Sequence, residues 1–76
     1  KQAATPALAT LTNRELEVLS LIGKGISSEN IATTLNLSIK TIEAHRSNIR
    51  SKFRLESGER LLEIAIRYTQ GLEIGL

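Results

Sequence analysis

Between Ser38 and Gly58 the chain contains neither glycine nor proline, and its apolar residues there recur at helical spacing rather than alternating. On a helical wheel of about 100° per residue, Ile49 and Phe53 fall within about 20° of Ile42. A stripe that narrow requires a helix with one buried edge. Ser38 stands where an N-cap is needed, so a long helix is expected over residues 39–53.

The flanking segments read as helices too. Thr12 and Glu15 have the spacing of a capping box, and Leu16, Val18, Leu19 and Ile22 follow at helical spacing. Gly25 suits a left-handed C-terminal cap better than Gly23 does. A short second helix starts at Ser27 or Ser28 and carries Ile31, Ala32 and Leu35 inward. Asn36 ends it, and Leu37 turns in as the chain reverses. A fourth helix begins at about Ser57, with Leu61, Leu62, Ala65 and Tyr68 as its inward stripe and Gly71 as its stop. No stretch alternates convincingly enough for a strand. The expected fold is an all-α, compact four-helix domain with helices over about 13–23, 28–35, 39–53 and 58–70. Residues 27–46 form a helix-turn-helix within it. Residues 1–10 are small, polar and proline-containing, and read as a linker or domain edge preceding a domain over 11–76.

A chain of 76 residues has room for one domain and one small core. It has no cysteine and a single histidine, which excludes a disulfide framework and a thiol nucleophile and makes a protein-only zinc site improbable. No metal or other cofactor is expected. Its apolar runs are far too short to cross a membrane, and no secretory signal pattern opens it, so a cytoplasmic location without membrane association is expected. Ser38 or Ser47 near His45 is the only conceivable nucleophile–base pair. Capping and solvent-facing serines explain those residues better, and no enzyme is expected.

The formal charge is only +2, but its distribution says more. Lys40, Arg46, Arg50, Lys52 and Arg54 face the single acid Glu43, a local charge of +4, so the rest of the chain carries −2. A basic stripe on an otherwise acidic domain is the footprint of a phosphate binder, although a solvated helix face also carries charge. The wheel favours the first reading. Opposite the apolar stripe lie Lys40, Ala44, Ser47 and Ser51, with Glu43 at their border. Small side chains let a helix approach base edges, and long cations at the rim reach phosphates. A helix made only for solubility would carry glutamate and lysine throughout, and one made for a protein partner would carry large apolar groups. Glu43 can accept from a cytosine amino group and Lys40 can donate to guanine. Ala44 can touch a thymine methyl, and Ser47 can bond several bases. Thr41, Asn48 and Lys52 suit phosphates, and Arg46 could join them. His45, at the edge of the buried stripe, reads as a structural hydrogen-bonded residue or as a further backbone contact.

The run from Leu11 to Phe53 resembles the LuxR-type helix-turn-helix domain of quorum-sensing regulators and NarL/FixJ-type response regulators. The features that carry the resemblance are Leu11-Thr12-x-Arg14-Glu15, Glu17-Val18-Leu19, Gly25, Ile31-Ala32, Leu37-Ser38, Thr41-Ile42-Glu43-x-His45 and Ile49-x-x-Lys52-Phe53. It implies sequence-specific binding of double-stranded DNA by a transcription regulator, with the third helix in the major groove. By position it assigns base reading to Lys40, Glu43, Ala44 and Ser47, and backbone contacts to Thr41, Arg46, Asn48 and Lys52. It also implies dimerisation on DNA through the fourth helix. The stretch from Ile64 to Leu72 is similar to the response-regulator branch, which implies the effector domain of a two-component regulator. Three positions depart from the family pattern: Glu29-Asn30 where Lys-Glu is frequent, Gly23 where alanine is common, and Gly58 near the start of the fourth helix.

Two other readings share the architecture. Ile64 and Ile66 flank the inward stripe of the fourth helix and give it surplus apolar surface, which fits either extra core or a homodimer contact. A helical protein-interaction module would use that surface alone. A promoter reader of the sigma-factor kind would also need RNA polymerase, a partner that a regulator could share.

Overall fold

A computed structural model describes residues 6–72, and every regular element among them is an α-helix: α1 (Pro6–Ala9), α2 (Asn13–Gly23), α3 (Ser28–Leu35), α4 (Ile39–Phe53) and α5 (Gly58–Thr69). The four long helices lie where the sequence places them, α5 ending one residue early with Gln70 as its cap. The difference is α1. Residues 1–10 lack helical periodicity, yet Pro6–Ala9 forms one turn, and Ala7 and Leu8 pack against the core.

Side-chain oxygens define the starts. Thr12 accepts from the Glu15 amide at 3.1 Å while the Thr12 amide donates to the Glu15 carboxylate at 2.9 Å, completing the capping box. Ser27, Ser38 and Ser57 cap α3, α4 and α5 by accepting from Asn30, Thr41 and Arg60. The ends of α2, α3 and α4 share another device. A left-handed residue (Gly25, Asn36, Arg54) is followed by an apolar one whose amide reaches back five residues: Ile26 to Leu21, Leu37 to Ala32, and Leu55 to Arg50. Ile26, Leu37 and Leu55 then pack against the core, so each reversal is fixed by a backbone bond and a hydrophobic contact together.

The core takes Leu11, then Val18, Leu19 and Ile22 from α2 and Ile31 and Ala32 from α3. Ile42, Ile49 and Phe53 come from α4, and Leu61, Ile64 and Ala65 from α5. The α4 stripe is the one its periodicity demands. On α5 the stripe is rotated from the expected one. Ile64 is 3% exposed and Leu62 42% exposed, while Tyr68 is only half-buried. The rotation accompanies a close approach of α5 to α2 at Gly23. An added Cβ at Gly23 would run into the Ala65 carbonyl oxygen and approach Thr69 Cγ2 at 2.6 Å. The Gly23 backbone therefore lies directly against the Ala65 backbone and the Thr69 side chain, with Ile64 turned inward and Leu62 out.

Candidate nucleic-acid interface

Helices α3 and α4 are joined by Asn36, Leu37 and Ser38, and the left-handed Asn36 (φ 59°) swings α4 across α3. With Ile42, Ile49 and Phe53 anchored in the core, the opposite side of α4 faces outward. Lys40, Glu43, Ala44, Ser47, Asn48, Ser51 and Arg54 are all exposed. The four residues expected to read bases thus form one continuous solvent face. No acid occupies the first turn of α4, so the positive end of its dipole adds to Lys40 there. Among the described residues, Lys40, Arg46 and Arg54 form no ion pair. Their charge is available to an external anion.

The expected backbone contacts divide. Asn48 is exposed. Thr41 is half-buried, and its hydroxyl accepts from Ser38 Oγ at 2.9 Å, within the cap of α4. Arg46 is half-buried beside a shallow cleft that Ser27, Ser28, Gly58 and Glu59 also line.

Lys52 lies elsewhere. Its ammonium donates to Glu15 Oε1 at 2.7 Å and to the Thr10 carbonyl at 3.1 Å, tying the end of α4 to the start of α2. A lysine on the polar flank of a helix suggests a phosphate contact, but this one neutralises a carboxylate whose own side chain is 6% exposed. Sequence reasoning gave Glu15 only its capping role, because nothing local indicates a partner so far along the chain. Burial pushes the Glu15 carboxyl up. The Lys52 hydrogen bond, the Thr12 amide and the charges of Lys52 and His45 outweigh that, and hold it below the ordinary glutamate value. His45 is half-buried on this flank, which favours its structural reading. Arg50 is similarly engaged. Its Nη2 donates to the Glu56 carbonyl at 3.2 Å, bracing the α4–α5 loop.

The expected dimer contact also changes composition. Ile64 is in the core, so the outer face of α5 presents Leu62 and Ile66, with Leu72 beyond its end and Glu59, Glu63, Arg67 and Gln70 around them.

The description "Bacterial regulatory proteins, luxR family" (GerE) matches residues 9–65. The chain belongs to the luxR family of bacterial regulatory proteins. Within that family it is similar to two proteins named "Oxygen regulatory protein NreC". One, from Staphylococcus epidermidis strain RP62A, is 46% identical over 57 residues, covering 75% of this chain and 26% of the relative. The other, from Staphylococcus aureus strain JH9, is 43% identical over 63 residues, covering 83% and 29%. The chain therefore spans less than a third of the length of these relatives. No solved structure matches it significantly. The luxR-family match gives this domain a DNA-binding, regulatory role. No helix among the described residues is long and apolar enough to cross a membrane.

Proposed function

We propose that this luxR-family domain recognises a specific duplex sequence by laying α4 in the major groove. The observation that carries the reading is the outer face of α4. Short side chains at Ala44, Ser47 and Ser51 lie between Lys40, Glu43 and Arg54, all of them exposed. Such a face admits close approach to base edges and offers both donors and acceptors there. Lys40, Glu43, Ala44 and Ser47 read bases. Thr41, Arg46 and Asn48 hold the backbone, and Lys52 and His45 support α4 from within. A duplex DNA ligand supports a cytoplasmic place of work.

Two copies dock through the outer face of α5 with Leu62 and Ile66 at the centre, which sets two α4 helices on paired half-sites about one duplex turn apart. The relatives are several times longer and are named as regulatory proteins, which supports this domain as the effector part of a longer two-component response regulator.

The test is selection of bound duplexes from a randomised pool at low and moderate salt. Enrichment of a short motif, paired at a fixed spacing, is the expected result. Binding at low salt without enrichment would reduce α4 to a nonspecific basic helix and overturn the reading.

A further inference from the structure

Four large apolar side chains are exposed among the described residues: Ile39, Leu62, Ile66 and Leu72. Three of them belong to the outer face of α5 or its end. Ile39 does not. It is the first residue of α4, directly after the Ser38 cap, and is 48% exposed.

Several features make its position particular. Side chains on a helix lean toward its N-terminus, so a first-turn residue projects ahead of the helix end with no preceding turn to cover it. Ile39 precedes Glu43 by one turn on the same flank, and Lys40 lies beside it. On the exposed part of α4 the only other aliphatic group is the Ala44 methyl. A β-branched residue is also a poorer helix former than the alanine, glutamate or lysine that would serve a solvent-facing first turn. The isoleucine supports neither the core nor the helix, and it stands at the end of the face proposed to read bases.

We infer that Ile39 is a specificity-determining residue that packs on the 5-methyl group of a thymine in the major groove. The inference rests on the groove placement of α4. The methyl is the one apolar feature the major groove presents, and an aliphatic side chain is its natural complement. One turn of helix separates Ile39 from Glu43 by about 6 Å along the axis, and base pairs stack about 3.4 Å apart. The thymine therefore lies one or two base pairs outside the pair read by Glu43.

The enriched duplex is resynthesised with deoxyuridine in place of each thymine in turn, which removes only the methyl group. Wild type, Ile39→Ala, Ala44→Gly and Glu43→Ala proteins are titrated against each duplex, with unfolding curves to show that the variants remain folded. At one thymine, outside the pair at which Glu43→Ala relaxes preference, deoxyuridine weakens wild-type binding by roughly three- to tenfold, as for burial of one or two methyl groups. Ile39→Ala binds both duplexes equally there, whereas Ala44→Gly keeps the discrimination. If wild type and Ile39→Ala respond alike at every thymine while Glu43→Ala still relaxes one base pair, the inference is overturned and the groove placement stands. If no motif is enriched, both fall.

Discussion

The ammonium of Lys52 lies 2.7 Å from Oε1 of Glu15, across 37 residues of sequence, and joins the C-terminal half of α4 to the N-terminus of α2. The same carboxylate oxygen accepts from the Thr12 amide, so one atom closes the capping box and anchors α4. A lysine so placed acts on stability first.

Lys52→Met leaves the Glu15 carboxylate buried with the Thr12 amide as its remaining partner. Removing one member of a buried pair costs about 3–5 kcal/mol. The Lys52 side chain is 31% exposed, which lowers the expectation to about 2–3 kcal/mol after allowance for solvent screening. Urea unfolding measures it. Lys52→Arg should recover part of the loss. A Lys52→Met domain of undiminished stability whose DNA affinity lost about one unit of salt slope would restore Lys52 as a phosphate contact.

Acid should act through the same pair. The Glu15 pKa is lowered in the folded state, so its contribution to stability is fully present above the unfolded-state value of about 4.3. It is lost as the pH falls from there through the lowered folded-state value. Unfolding free energies across this acid range should therefore fall more steeply for wild type than for Glu15→Gln. Parallel curves would show that the pair does not report on folding.

Gly23 offers a case in which local propensity and packing oppose each other. Alanine in a helix is favoured over glycine by about 1 kcal/mol. A methyl at this position meets the Ala65 carbonyl oxygen and Thr69 Cγ2, and overpacking of this kind costs about 1–3 kcal/mol. Gly23→Ala should lower the melting temperature. A rise would mean that α2 and α5 approach less closely than described.

On α5, neighbouring isoleucines should behave oppositely. Ile64→Ala removes a core residue and should cost about 2–5 kcal/mol. Ile66→Glu, on the outer face beside Leu62, should leave stability within about 0.5 kcal/mol and reduce the two-protein complex on a paired-site duplex to one. Sedimentation of the duplex complexes measures this. Undisturbed pairing with Ile66→Glu would place the dimer contact elsewhere.

The helices were legible because their signals are local. Thr12, Ser38 and Gly25 announce caps within three or four residues of what they cap, and Ile42, Ile49 and Phe53 mark the buried edge of α4 by period alone. Besides the turn at Pro6–Ala9, three features were not. Arg54 takes a left-handed conformation (φ 57°) that its side chain does not advertise, and the packing of Leu55 imposes it. The choice of Ile64 over Leu62 for the core depends on how α5 crosses α2, which is a tertiary matter. Lys52 lies on the polar flank that suits a phosphate contact, and its pairing with the buried Glu15 could not be read from either segment alone. The solvent face of α4, by contrast, follows directly from the wheel.

The most direct test of α4 as a sequence reader compares Glu43→Ala with Arg46→Ala on every single-base variant of the selected duplex, across a range of salt. Glu43→Ala should relax preference at one base pair, with a penalty of about 1–3 kcal/mol on the original site. Arg46→Ala should weaken all duplexes equally and flatten the salt dependence by about one unit. Two variants with the same profile would contradict the division of α4 into base-reading and backbone-holding residues.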